Sequence, residues 1–440
     1  MLARLFRIAL ASSFLITSAS AQAGRAYGGG PSWWNAGWGG VLPWEESYEN
    51  ADGLLSVRNR TGAIQTKDHP FFEPLGSNGR ACVTCHQPAG AMSVSVAMLR
   101  DRWRESAGLD PVFAAVDGSN CPNLPQAERG SHSLLLDRGL FRIALPWPPK
   151  DVPKPEFKLE IVSDPAGCNR TPGEVSVYRR PRMTANLDSV LRGASGTSVL
   201  MADGREPSLE SQATNAALTH EQSSSSSAPS ADVLKRIVEF ETQIFAAQGA
   251  DIRGGLTDER GSPQLGPNPL ERGAIRGLSQ ISFEPWRGEE SGVQTAFRAS
   301  AARGSDLFFG RNFRIDGVPQ FGSVEGTCGT CHASGTTRWM NIGTTTHSSE
   351  FESQLPVFRV TCGDRVLYTE DPGRGLISGK CADVGAIVLQ QFRGLAARVP
   401  YFSNGSAAGL RDVVDFYDRR FHIGYSEREK LDLVNFLRVL

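Results

Sequence analysis

Two five-residue segments could do redox chemistry, Cys82-Val83-Thr84-Cys85-His86 and Cys328-Gly329-Thr330-Cys331-His332. The pattern C-x-x-C-H is the attachment signal for c-type haem. Each thiol forms a thioether with one haem vinyl group, and the histidine that follows is positioned to put an imidazole nitrogen on the iron. Without that histidine the motif would be a redox dithiol or half of a zinc site. A thioredoxin-like dithiol would sit near a βαβ pattern, which the sequence lacks. A zinc site built from both pairs would keep them close, and 243 positions separate Cys85 from Cys328. The expectation is two covalently bound haem c groups, with His86 and His332 as iron ligands.

Four further cysteines, Cys121, Cys168, Cys362 and Cys381, lie outside the motifs. Pairing within each half, Cys121 with Cys168 and Cys362 with Cys381, is the most economical of three connectivities, and the sequence alone does not choose among them. Disulfides imply an oxidising compartment. The N-terminus agrees. Arg4 and Arg7 precede an uncharged stretch from Ile8 to Ala23, and Ala19-Ser20-Ala21 or Ala21-Gln22-Ala23 offers a small-x-small cleavage site. Residues 1–23 therefore read as an export signal. A membrane anchor is the rival reading, but the apolar part falls short of the ~20 residues that a span needs. The mature chain is expected to be soluble and periplasmic, with no membrane span.

Composition sets broader bounds. Of 440 residues, 46 are Lys or Arg and 47 are Asp or Glu, for a net charge of −1. That balance argues against nucleic acid as a partner, because phosphate binding needs a basic surplus. Hydrophobic residues at 40% and charged residues at 21% exclude wholesale disorder.

The elements that must position the two motifs follow from their separation. Two haems so far apart imply two domains, 24–285 and 286–440. The serine run Ser223–Ser227 with Ala228-Pro229-Ser230 reads as a connection (223–230) inside the first. A helix follows, with Val233, Ile237 and Ile244 on one face. Near the C-terminus, Leu410, Val413, Val414 and Tyr417 share a buried helix face. Ser426-Glu427-Arg428-Glu429 is a capping box, and Leu433, Leu437 and Leu440 form an apolar stripe behind it.

The surroundings of the motifs resemble the bacterial di-haem cytochrome c peroxidase and MauG family over roughly residues 68 to 440. The ordered series is Asp68-His69-Pro70-Phe71-Phe72 leading to Asn78-Gly79-Arg80-Ala81-Cys82, then Asp203-Gly204-Arg205 with Leu209-Glu210-Ser211-Gln212-Ala213. Arg303-Gly304-Ser305-Asp306-Leu307-Phe308-Phe309 and Asn341-Ile342-Gly343 flank the second motif. Phe392-Arg393-Gly394-Leu395 and Pro400-Tyr401-Phe402-Ser403-Asn404-Gly405 follow. The resemblance implies a mainly α fold of two cytochrome c-like haem domains with long loops and little strand. It implies a peroxide-reactive haem on His86, with Gln212 hydrogen-bonding in its distal pocket; the family's acid/base glutamate aligns with Gln222, and a one-residue gap puts Glu221 in that role, against the reading of Glu221 as a solvated charge beside the serine run. It also implies an electron-relaying haem on His332 whose second ligand, Met in the peroxidases and Tyr in MauG, falls here on Tyr417. No methionine follows Met340, so a Met ligand cannot come from that helix; Met340 and His347 are the fallback ligands. A phenolate favours ferric and higher-valent iron.

The implied activity is a peroxidase that uses hydrogen peroxide. Its reductant would be a small cytochrome or copper protein, or aromatic side chains of a protein substrate. The rival reading is a di-haem electron carrier with no open coordination site. Several positions depart from the family. The tryptophan between the haems is Ala202, for which Trp339 is a substitute, and the histidine of P-Y-F-H is Ser403. The calcium-site asparagine aligns with Arg180, and its threonine and proline fall near Val388 and Gln390, so calcium is not asserted. His69, His132 and His347 read first as structural imidazoles.

Overall fold

Helices carry both C-x-x-C-H motifs, but strands carry much of what surrounds them. The computed structural model describes residues 31–187, 199–275, 277–332, 339–347 and 353–440. The segment 1–23, read as an export signal, lies outside the described residues. Helix accounts for 33% and strand for 21%, in six sheets of two to four strands. The expectation of a mainly α chain of two cytochrome c-like domains with little strand is thereby corrected. The reason lies in segments such as Phe141–Pro146, Glu174–Arg179 and Val357–Cys362, rich in β-branched and aromatic residues. Each pairs with a partner that sequence proximity does not announce.

One four-stranded sheet joins Glu45–Asn50, Gly53–Asn59, Ile244–Asp251 and Gly255–Leu256. Another sets Lys158–Ser163 against Val357–Cys362, with Arg365–Thr369 and Thr346–His347 beyond. This second sheet spans the boundary at residue 285, so both halves contribute strands to one layer. The disulfides Cys121–Cys168 and Cys362–Cys381 form, with Cα atoms 5.4 Å and 5.8 Å apart. Among the described residues no helix is long and apolar enough to cross a membrane.

The helix after the serine run covers Ala231–Gln243 and buries Ile237, but Ile244 opens the next strand and is not on its face. Ser230 caps that helix through the Val233 amide. The run itself makes a short 3-10 turn, Ser225–Ser227, capped by Ser224. The two C-terminal helices, Leu410–Phe421 and Glu427–Arg438, follow the sequence pattern, and Ser426 and Glu429 close the capping box. Glu427–Arg438 packs on Val293–Gly310, where Gly304 lets the Asp432 carbonyl approach to 2.0 Å from where a Cβ would stand.

Candidate functional site

The first motif is a single helical turn, Cys82–Cys85, entered from Ala81 and left at His86. The chain just before it grips the end of the helix Leu209–Thr219. Asn78 Nδ2 donates to the His220 carbonyl at 2.8 Å, and the Leu75 amide donates to Glu221 Oε2 at 2.9 Å. Gly76 makes this approach possible, since a Cβ there would stand 1.8 Å from the Glu221 carbonyl oxygen. The motif and the turn His220–Glu221 are thereby brought together.

Between them lies a cavity. Cys82, Cys85, His86, Gln212, His220 and Glu221 all line it. His86 Nδ1 meets the Met92 carbonyl at 3.1 Å. A carbonyl only accepts, so Nδ1 carries the proton and Nε2 keeps its lone pair, the form and orientation that bind a metal. Burial lowers the His86 pKa to about 4, so the ring is neutral. Gln212 makes no side-chain hydrogen bond to a described residue. Glu221 is 4% exposed, not a solvated charge beside the serine run. Burial pushes its carboxyl up to about 7, against the Leu75 amide that favours the anion. Its Oε1 lies 3.5 Å from the Cys82 sulfur.

Two more carboxyl groups line this cavity, Glu241 and Asp117, and neither was legible in the sequence. Glu241, on the helix Ala231–Gln243, is 3% exposed, and its Oε2 has no hydrogen-bond partner. Burial alone raises it to about 8. His220 donates from Nδ1 to Asp117 Oδ2 at 2.5 Å, and Asp117 also pairs with the fully buried Arg80. Burial alone would raise Asp117; Arg80 and His220 hold its carboxyl below the usual range. Arg80 precedes the first motif by two positions, which was a signal of sorts, but its partner 37 positions on was not visible.

The second motif, Cys328–His332, borders two adjoining spaces that share His332 and Tyr417 in their walls. The two rings lie edge to face, 6.5 Å between centroids, with an interplanar angle of 88°. His332 stacks on Phe392 at 4.4 Å, and burial lowers its pKa to about 4. Neither ring nitrogen of His332, nor the Tyr417 hydroxyl, has a hydrogen-bond partner among the described residues. Burial also pushes the phenol up. Tyr425, not singled out from sequence, brings its hydroxyl to 3.9 Å from the Cys328 sulfur.

The other candidates divide. Met340 is buried and borders both spaces, so it remains within reach of the second site. His347 lies in the strand Thr346–His347 and borders none of the described cavities. Trp339 pairs with Val388 and stacks under the Arg374 guanidinium at 3.6 Å, lining neither space, whereas Ala202 lines the first cavity. His132 meets the Gly118 and Gln126 carbonyls at 2.7 and 2.9 Å, and His69 packs on Phe72 and Phe240; both are structural.

These residues fit covalently held haem. The first cavity and one of the two spaces at the second motif each have two cysteines of a C-x-x-C-H motif and a neutral imidazole in the wall, and the second site adds the Tyr417 oxygen, which has no hydrogen-bond partner among the described residues. A calcium ion does not fit where the resemblance would put it. Arg180, Val388 and Gln390 do line one space, but the Val388 carbonyl already accepts from Arg182 Nη1 at 2.7 Å. Among the described residues no three His, Cys, Asp or Glu side chains gather to hold a metal ion. The chain matches no family model and no curated protein sequence.

Proposed function

We propose that this chain is an exported di-haem c-type oxidoreductase of the bacterial di-haem cytochrome c peroxidase and MauG type. The reading rests above all on the two C-x-x-C-H motifs, each bordering its own cavity with its imidazole in the wall. Cys82 and Cys85 would hold one haem and His86 its iron; Cys328, Cys331, His332 and Tyr417 would hold the other. Haem bound there supplies one- and two-electron oxidation with hydrogen peroxide as the oxidant.

The residues around it do the rest. His86, backed by the Met92 carbonyl, carries its proton on Nδ1 and leaves Nε2 to ligate. Cleaving the peroxide O–O bond needs a proton moved from the inner to the outer oxygen. Glu221, poised near 7, can take it and give it back at neutral pH. The Gln212 amide, with no side-chain hydrogen bond to a described residue, would orient the peroxide oxygens. Phe141, Leu187 and Ile237 make that cavity largely apolar, which strengthens each of these polar contacts. At the second site the Tyr417 phenolate favours the oxidised metal. That suits the oxidation of a protein's aromatic side chains, with a small cytochrome or copper protein as the alternative reductant. Export to the periplasm is supported by the two disulfides.

A second reading, a di-haem electron carrier, is favoured by one observation: Met183 and Met201 also line the first cavity, and either thioether could be a further ligand to the iron that His86 would hold. Intact mass and electron paramagnetic resonance decide. The peroxidase reading expects two covalent haems, lost one at a time in C82A/C85A and C328A/C331A, and a high-spin ferric signal in the resting or half-reduced protein. Two haems that stay low-spin in both states, with spectra unmoved by peroxide, would establish the carrier.

A further inference from the structure

The wall between the two cavities is cationic. Arg180 borders both, Arg182 the first and Arg398 the second. Arg180 and Arg398 are each 7% exposed. No carboxylate forms an ion pair with any of the three among the described residues. Their hydrogen bonds go to backbone carbonyls. Arg180 Nη2 donates to the Val94 and Arg398 carbonyls at 2.9 and 3.0 Å. Arg182 donates to those of Val388 and Leu389, both at 2.7 Å. Arg398 Nη2 donates to those of Gln391 and Arg393 at 2.8 and 2.9 Å.

Carbonyl dipoles orient a guanidinium without neutralising it. Burial weakens the charged form of all three, and for Arg180 and Arg182 the like charge of Arg398 adds to it. The arrangement is nevertheless built. Gly139, at φ +67°, leaves the room that Arg180 needs, since a Cβ there would stand 2.3 Å from Arg180 Nη1. Buried charge without a counter-ion is unfavourable, so the counter-ion has to come with whatever fills the cavities. Arg180 Nε, Arg182 Nε and Arg398 Nη1 donate to no described residue and remain for it.

We propose that Arg180, Arg182 and Arg398 form a clamp for the carboxylate groups of the cofactors filling the two cavities, and that this clamp replaces a bridging divalent cation. The proposal rests on the haem reading, since a haem brings two propionate carboxylates into each cavity. A guanidinium N–H forms a charge-assisted hydrogen bond to a carboxylate, stronger than one between neutral groups. One fixed charge bordering both cavities then couples the two sites electrostatically, with no ion to lose.

The test uses the full holoprotein. Intact mass first counts the haems; R180Q, R398Q and R180K are then followed by spectroelectrochemistry and by the propionate bending bands in resonance Raman. Removing a positive charge disfavours the reduced iron, so R180Q is expected to lower both midpoint potentials, R398Q chiefly that of the second haem, and R180K neither by much. The bending bands shift in both Gln variants. EDTA leaves spectra and thermal midpoint unchanged. If R180Q does not accumulate, R182Q and R398Q give the same reading. Two haems with potentials and bending bands unmoved in the Gln variants overturn the clamp alone. A thermal midpoint lowered by EDTA and restored by calcium also overturns it. A mass without haem overturns the haem reading, and the clamp with it.

Discussion

Glu221 and Tyr417 carry the chemistry that separates an oxidising enzyme from an electron carrier, and each can be removed with little change of shape. Glu221→Gln keeps the hydrogen bond from the Leu75 amide and abolishes proton exchange. The reaction with peroxide, followed by stopped-flow absorbance, is expected to slow by roughly 10²–10⁴-fold. In the parent protein the rate should change with pH around 7, where burial has moved this carboxyl; a Gln variant as fast as the parent would remove Glu221 from the mechanism. Tyr417→Phe deletes the hydroxyl and keeps the ring that packs against His332. Low-spin features of one haem should disappear while the other is unaffected, and Tyr417→Met should restore a six-coordinate haem at higher potential. Unchanged spectra and potentials in Tyr417→Phe would make it a core residue, and Met340, in the same walls, the next ligand to test. Glu241 is a different case. The folded chain keeps its carboxyl protonated up to about pH 8, whereas an ordinary glutamate loses the proton near 4.5. Across that window the native state binds the extra proton. Its contribution to stability is therefore whole below 4.5 and lost as the pH rises through 8. Glu241→Gln should flatten this part of the denaturation-midpoint profile, and an unchanged slope would show that the carboxyl finds a partner. Nothing in the sequence marked Glu241, because its burial depends on the first motif packing over a helix more than 150 positions away.

Among the elements, what was legible was local. The face Leu410, Val413, Val414, Tyr417 follows from helical spacing, and the cap of the last helix from four consecutive residues. Ser426 takes the Glu429 amide while Glu429 returns to the Ser426 amide at 2.8 Å. Ser426→Ala should cost about 1 kcal/mol in chemical denaturation. No loss at all would mean that packing on Val293–Gly310 alone sets the helix start. Strand pairing was not legible, because it is decided at a distance. Lys158–Ser163 alternates only weakly in burial and becomes a strand by lying against Val357–Cys362. The end of the Ala231–Gln243 helix shows the same competition. Ile244 continues the helical spacing, but pairing with Asn59 in the sheet draws it into the strand instead.

At the scale of the whole molecule, the two halves read from the sequence are tied to each other, and the tie is electrostatic as well as topological. Arg179 ends a strand of the first half and is 2% exposed. Its guanidinium holds Asp203 at 2.5 Å and, as a fork, Asp371 of the second half at 2.6 and 2.9 Å. Both carboxylates are buried, and Arg205 shares Asp203 at 2.8 Å. The Asp203-Gly204-Arg205 motif thus serves here to tie the halves together, and Arg438 repeats the tie through Asp251 at 2.5 Å. With the shared sheet, these contacts predict one cooperative calorimetric transition for the holoprotein, although separate domains would ordinarily move and melt with some independence. Arg179→Gln leaves Asp371 buried without its cation. Breaking such a pair typically costs ~3–5 kcal/mol, while Arg205 still neutralises Asp203. The loss therefore falls on the junction and not evenly on both halves. The variant should melt earlier and in two resolved steps, the haem-specific absorbance of each site following its own step. A parent protein that already melts in two steps, or a variant that melts in one step at the parental temperature, would show that the junction contributes nothing to holding the halves together.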